Sequence, residues 1–496
     1  MLQSLLIAVV ALLTVFTSPL QAAEPTPPNI VILFADDLGY GDLASYGHPY
    51  NRTPHLDALA AEGQRWTDFY VAAPVCSPSR GALLTGRLPV RTGLYGRKIN
   101  VMFPGDTVGI PTAELTLAEA LKAQGYATGM MGKWHLGDAK AAYPTRAGFD
   151  YWYGLPYSND MDWVGEASFE ELLALLAQGK SEHLQKTFAK RMAKYLDPKI
   201  EYWNVPLIRS VNNGQGFSDE VIEQPADQRT LTKRYTGEAL RFIEQNKAQP
   251  FLLYVPYSMP HTPVFRSDDF VGKSLGGRYG DVIEELDWSV GQIVDKLEEL
   301  QLANNTLVVF SSDNGPWLPM LQDAGSAGML RGGKGTTFEG GMRVPAIFWW
   351  PGTIEPGVIS DIGSAMDLYA TALALAGAKT PSPSDGYDIT ETLRTKAPGP
   401  RNTLAYYRSG ELYALRKGHY KLHLITEGAY QSPPKRTEHK NPVLYDLRSD
   451  PGEKFDISAQ RPDVVKDLMR AVEAQRSAVI EKQPLFDQRL QAALPH

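Results

Sequence analysis

Four short runs of β-forming apolar residues, each ending abruptly in a polar cluster, constrain this chain more than any other feature. Asn29–Ala35 runs into Asp36-Asp37, and Tyr126–Met131 into Gly132-Lys133-Trp134-His135. Phe251–Val255 leads to Pro260-His261-Thr262-Pro263, and Thr306–Ser312 to Asp313-Asn314-Gly315. Apolar residues that follow one another without polar alternation mark strands buried on both faces, as in a parallel sheet. Helical patterns lie between these runs. Thr53-Pro54 opens one that Gly63 ends, and Thr116-Leu-Ala-Glu119 reads as the capping box of another that Gly125 closes. Arg229–Gln245 is a third, and Asp281–Leu300 carries a helical apolar stripe of Ile283, Leu286, Val290, Ile293 and Leu297. The alternation predicts an α/β fold in which helices sandwich a large, mostly parallel sheet. Ligands of such sheets bind beyond the carboxyl ends of the strands. All four polar clusters lie there, so residues from Asp36 to Asn314 are expected to share one site.

The pattern changes after a helix over Met366–Ala378 and a loop over Thr380–Gly386. Thr403–Tyr407, Leu412–Arg416, Tyr420–Leu424 and Val443–Leu447 read as short strands, with a helix following from Pro462 to Val479. A smaller C-terminal antiparallel sheet packed with a helix is therefore expected. The boundary falls near residue 380, giving an α/β catalytic domain over 23–380 and an α+β subdomain over 381–496. The charged, partly helical stretch 163–213 reads as an insertion on the active-site side. Residues 1–22 contain no charged side chain. The apolar run Leu5–Phe16, the helix-breaking Pro19 and the small Ala22 predict a signal peptide cleaved near Ala22, and hence an exported protein, periplasmic or secreted. No second long apolar run is present, so stable membrane insertion is not expected.

Composition removes several function classes. With 49 basic against 56 acidic residues and a net charge of −7, the chain lacks the electrostatic footprint of a nucleic-acid binder. A single cysteine, Cys76, excludes an intramolecular disulfide and a multi-thiolate metal site. Asp36-Asp37 and Asp313-Asn314 offer hard oxygen donors at one sheet edge, which points to Ca²⁺ or Mg²⁺. Pro78 and the Ala82-Leu83-Leu84 run place Cys76 at a helix N-terminus, where exposed N–H groups favour an anion. The stretch Gly328–Gly335 approaches a nucleotide-binding P-loop, but Gly335 stands where Ser or Thr is needed, so ATP binding is rejected. His48, His55, His419 and His423 read as surface or core residues.

Cys76-x-Pro78-x-Arg80 followed by Leu84-Thr85-Gly86-Arg87 resembles the signature of the type I sulfatases, in the alkaline phosphatase-like superfamily. In that family the cysteine is oxidised after translation to Cα-formylglycine. The blocks Asp36–Asp42, Gly132–Gly137, Gly154–Asp160, Pro260–Pro263, Asp313–Pro316, Gly332–Arg343 and Leu444–Glu453 are similar to family blocks, in family order. Gly154–Ser158 and Leu88–Tyr95 look like the arylsulfatase A type. The resemblance implies one divalent cation, usually Ca²⁺ and less often Mg²⁺, held by Asp36, Asp37, Asp313, Asn314 and the modified Cys76. It also implies a maturation enzyme that generates the formylglycine. One hydroxyl of the hydrated aldehyde would attack sulfur, and the second would expel sulfate. A sulfate ester needs fixed cations around its oxygens, a task that suits Lys133 and Lys334. By the same resemblance Arg80 anchors the hydrate, His135 accepts its proton, His261 protonates the leaving oxygen with Lys334, and Ser158 donates a hydrogen bond. The expected function is hydrolysis of a sulfuric ester, with a sulfated carbohydrate or glycolipid as the natural substrate. The rival readings are a phosphate or phosphonate monoester hydrolase on the same scaffold and a non-catalytic sulfated-glycan binder.

Overall fold

Strand β1 (Asn29–Ala35) is buried along its whole length. Its side chains divide between two hydrophobic cores: Ile30, Ile32 and Phe34 enter one, and Val31, Leu33 and Ala35 the other. This two-sided burial is the physical reason for the unbroken apolar run. The computed structural model describes residues 27–178 and 190–493. The leader read over residues 1–22 lies outside them. Among the described residues no helix is long and apolar enough to cross a membrane.

The large sheet also contains β2 (Gln64–Tyr70), β3 (Ala127–Met131), β4 (Tyr151–Gly154), β5 (Leu207–Asn212), β6 (Phe217–Glu223), β7 (Phe251–Pro256), β8 (Thr306–Ser312), β9 (Arg343–Trp349), β10 (Gly357–Ile359) and β11 (Gly363–Ser364). These eleven strands run in the order β10-β2-β9-β8-β1-β7-β3-β4-β5-β6, with β11 paired to β2. The centre is parallel: Ile30 faces Leu252 on one side and Leu307 on the other. The flanks are not. β9 runs antiparallel to both β8 and β2, and β5 and β6 form an antiparallel edge beyond β4. The stretch 163–213 is therefore more than an insertion, because β5 continues the sheet. Its sequence hid this: Arg209, Val211 and Asn212 are only half-buried, so no continuous apolar run marks the strand.

The predicted helices form at Pro54–Glu62, Leu117–Lys122, Leu231–Asn246 and Gly277–Glu299. In the capping box the Thr116 hydroxyl accepts from Glu119 N at 3.1 Å, and the Glu119 carboxylate accepts from Thr116 N at 2.9 Å. The second sheet is wholly antiparallel, in the order β12 (Thr403–Arg408), β13 (Glu411–Lys417), β14 (Tyr420–Thr426), β15 (Thr437–Asp446). The helix Pro462–Ala478 covers it with Val464, Leu468 and Val472.

The two sheets meet over a buried ionic seam. Lys421 on β14 lies 2.9 Å from Glu339, just before β9, and 3.0 Å from Glu453. Tyr70 and Tyr406 donate to the two Glu339 oxygens at 2.6 and 2.8 Å. His423 sits 2.6 Å from Glu453, whose other oxygen accepts from Glu339 N at 2.7 Å. Burial raises the Glu339 pKa, but Lys421, Arg343 and Arg416 outweigh it and hold the carboxyl at about 2. Folding thus favours the ionised form. Its contribution is complete above the ordinary glutamate pKa of ~4.3 and is lost as pH falls towards about 2. Removing one partner leaves a buried charge uncompensated, at a cost of ~3–5 kcal/mol. Lys421→Met is accordingly expected to lower the unfolding free energy from denaturant titration by that amount. In Glu339→Gln, stability measured between pH 5 and 2 should fall less steeply than in the wild type; an unchanged slope would refute the assignment.

Candidate active site

The carboxyl ends of the central strands each deliver a polar group to one buried cluster. β1 ends at Asp36 and Asp37, β8 at Asp313 and Asn314, and β3 leads through Gly132 to Lys133 and His135. Gly132 has φ +138°, and a Cβ there would stand 2.0 Å from the Pro256 carbonyl. Glycine is therefore required for Lys133 to turn inward, where its N–H donates to Pro256 O at 2.7 Å. Cys76 is the first residue of the helix Cys76–Thr85, all ten residues of which are buried. Its sulfur lies 3.4 Å from Asp36 Oδ1 and 3.9 Å from Asp37 Oδ1. One ligand atom each from Asp36, Asp37, Cys76 and His261 falls within 4.8 Å of the others.

Three cations face the three carboxylates. Arg80, one turn along from Cys76, holds Asp313 Oδ2 at 2.8 Å through Nε and through Nη2, and donates to the Lys133 carbonyl at 2.9 Å. Lys133 pairs with Asp36 and donates to Ser158 Oγ at 3.1 Å. Lys334 donates to Asp37 Oδ2 at 2.8 Å, and its ammonium stands 5.0 Å from the centre of the Trp317 ring. The charges are shared unequally. Burial raises the Asp36 pKa, but Lys133, His261, Arg80 and Lys334 together hold it well below the usual carboxylate range. At Asp37, burial joined by repulsion from Asp36 and Asp313 outweighs Lys334 and pushes the carboxyl up to about 7. Burial and the neighbouring Asp313 and Asp36 also push the Cys76 thiol up, which keeps it neutral.

Both histidines have a defined tautomer. His135 Nε2 lies 2.8 Å from the Met102 carbonyl and must carry the proton, so the lone pair is on Nδ1, which has no hydrogen-bond partner among the described residues. His261 Nδ1 faces the Thr262 carbonyl, which directs Nε2 to Asp37 Oδ2 at 3.5 Å. Burial, then the Lys334 and Lys133 charges, lower the His261 pKa well below its ordinary value.

All eleven site residues read from the sequence lie in or against this cluster. Cys76, His135, Ser158, His261 and Lys334 line a cleft of about 340 Å³. Arg80 is 1% exposed and stands behind the carboxylates, bound to Asp313 and within 3.6 Å of Asp36. The sequence reading missed Asp42. Its carboxylate accepts from Gly39 N at 2.6 Å, Ser326 N at 2.7 Å and the Tyr279 hydroxyl at 2.7 Å, tying the Asp36–Asp37 turn to the loop behind it. An aspartate three residues after Gly39 was the signal available. Asp160, Trp317 and Tyr430, which also line the cleft, were missed as well.

A sulfatase family model matches residues 28–378, which span every group just described except Tyr430. The chain belongs to the sulfatase family. A model of the C-terminal region of aryl-sulfatase matches residues 399–494 of this sulfatase. It is 40% identical to the arylsulfatase A of Bos taurus over 470 residues, covering 91% of this chain and 87% of that one. It is 38% identical to the N-acetylgalactosamine-6-sulfatase of Mus musculus over 498 residues, covering 94% and 89%. Among solved structures, the PsFucS1 sulfatase from Pseudoalteromonas sp. matches with a TM-score of 0.74 at 28% identity, covering 92% of each chain. Its activity is the hydrolysis of a sulfuric ester.

Asp42→Ala should leave three donors without their acceptor, at ~1–3 kcal/mol each where they are buried. The unfolding free energy from denaturant titration is expected to drop by at least ~3 kcal/mol, and a change below ~0.5 kcal/mol, the range of ordinary surface substitutions, would show that the turn does not depend on it.

Proposed function

We propose that this sulfatase cleaves a sulfate ester by means of a Cα-formylglycine made from Cys76, beside a Ca²⁺ ion held by Asp36, Asp37, Asp313, Asn314 and the modified residue. The observation that carries the reading is the gathering, around the first residue of one helix, of three carboxylates, two lysines and two histidines with complementary tautomers. The donor set fits a hard divalent cation. Asn314 Oδ1 is buried without a hydrogen-bond partner among the described residues. The crowding that lifts Asp37 to about 7 would be relieved by a positive ion. When bound, the ion would supply Lewis-acid polarisation of the ester oxygens. The hydrated aldehyde would supply a nucleophilic hydroxyl together with a second one for releasing sulfate.

The remaining roles fall to the chain itself. Lys133 and Lys334 set positive charge against the anionic oxygens in a site shielded from water, where such charge acts most strongly. His135 Nδ1, without a hydrogen-bond partner among the described residues, accepts a proton from the nucleophile's side. His261 Nε2, once protonated, hands a proton to the departing oxygen. Ser158 holds the Lys133 ammonium and turns its hydroxyl to the cleft. Arg80 positions Asp313 and the Lys133 backbone rather than reaching towards substrate. The natural ester is that of a sulfated carbohydrate or glycolipid, a reading supported by kinship with an N-acetylgalactosamine-6-sulfatase. Export to the periplasm or beyond is supported by the uncharged, apolar composition of residues 1–22.

Two measurements test this. A tryptic peptide spanning Cys76 from natively expressed protein should have the mass of the aldehyde; a peptide found solely as thiol would end the proposal. The matured enzyme should hydrolyse 4-nitrophenyl sulfate in preference to the phosphate and phosphonate analogues, and Cys76→Ala should abolish turnover. Dominance of the phosphorus esters would favour the rival monoester-hydrolase reading. In calorimetry Asp313→Asn should weaken Ca²⁺ binding by at least ~10-fold, the loss typical of disturbing a metal site.

A further inference from the structure

The cleft above Cys76 has a wall that none of the roles above uses. Phe103, Trp163, Tyr195, Trp317 and Tyr430 make it largely aromatic, with Tyr430 reaching in from the loop after β14. Three polar atoms of this wall, Asp160 Oδ1, Trp163 Nε1 and Trp317 Nε1, are buried without a hydrogen-bond partner among the described residues. Asp160 is 8% exposed; its Oδ2 accepts from the Tyr195 hydroxyl at 3.3 Å and Ser158 stands beside its carboxyl, while Oδ1 is buried with no well-formed hydrogen bond among the described residues. Trp317 is 7% exposed, and its Nε1–H likewise has no acceptor among the described residues. Trp317 is fixed in place: its ring centre lies 5.6 Å from that of His261, 5.4 Å from Tyr430 and 6.0 Å from Tyr195. One unpartnered acceptor and two unpartnered indole donors thus belong to residues that line the same cleft as the reacting groups, and of the two donors Trp317 is the one packed against His261.

A buried polar atom without a partner is costly, and a site built around such atoms discriminates strongly against a ligand that cannot satisfy them. A hydroxyl both donates and accepts, so a ring bearing neighbouring hydroxyls meets both requirements while its apolar face lies against the aromatic wall. A simple phenol meets neither. We propose that Asp160 and Trp317 form a hydroxyl-reading pair for the alcohol half of the ester, so that this sulfatase favours the sulfate of a polyhydroxylated ring over an aryl sulfate. Asp160 accepts from one ring hydroxyl, and Trp317 Nε1 donates to another. The inference rests on the cleft being the sulfate-ester site proposed above.

The test compares kcat/KM for 4-nitrophenyl sulfate with kcat/KM for the best of galactose 3-, 4- and 6-sulfate, in the matured wild type, Asp160→Asn and Trp317→Phe. Asn keeps the size of Asp160, and Phe keeps an aromatic ring while removing the donor. The sugar-to-aryl ratio is expected to fall by roughly tenfold or more in each variant. Thermal midpoints close to that of the wild type would show that the fold is kept. An unchanged ratio in both variants, or a wild type that hydrolyses the aryl ester and none of the sugar esters, would overturn the pair and leave the sulfatase mechanism standing. A wild type with formylglycine proven by mass that turns over neither ester would overturn the mechanism and the pair together.

Discussion

Asp36, Asp37 and Asp313 are 3% exposed or less, and charge buried to that degree is unfavourable unless something nearby compensates it. Much of the surrounding architecture answers this requirement. The parallel centre of the sheet brings β1 and β8 side by side, so that Asp37 N reaches Asp313 Oδ1 at 3.1 Å. The Cys76 helix places Arg80 where its guanidinium spans two of the three carboxylates. Lys133 and Lys334 arrive from different parts of the chain and take Asp36 and Asp37 separately. The compensation is uneven, well served at Asp36 and poor at Asp37. That unevenness makes the cluster a place for a further positive charge rather than a closed salt bridge.

A second buried network solves a different problem. The small antiparallel sheet contributes Tyr430 to the cleft, so its placement relative to the large sheet matters for the shape of the cleft. The seam of Glu339, Lys421, Glu453 and His423 fixes that placement through directional bonds, which an apolar interface of the same area would not impose. The groups that hold the two sheets in register thus also set one wall of the cleft.

Legibility in the sequence followed locality. Asp36-Asp37, Asp313-Asn314 and His261 were visible because each ends a buried strand, and strand ends at one sheet edge converge by topology alone. Cys76 was visible because Pro78 and Arg80 stand at fixed offsets from it. β2, β5 and β9 were not foreseen, since Gln64, Arg65 and Asp68 in the first and the half-buried face of the second break the apolar run. Antiparallel pairing also leaves no mark on residue order. Glu339 and Glu453 lay inside recognisable sequence blocks without a physical reason attached. Their reason is each other, 114 positions apart, and no local pattern encodes such a contact. Asp160 and Trp317 were hidden in the same way, because what distinguishes them is one buried polar atom each, Oδ1 and Nε1, left without a hydrogen bond among the described residues.

The burial of Cys76 has a consequence for timing. The residue is 1% exposed and opens a helix whose every residue is enclosed. A protein large enough to catalyse thiol oxidation cannot reach that side chain once the sheet has closed around it. Under the proposed modification, conversion to the aldehyde would compete with folding and would have to finish first. A chain that folded first would keep its thiol enclosed and, on the proposed mechanism, would stay silent. The yield of working enzyme would then be set by the order of two events on the nascent chain, not by the stability of the finished fold.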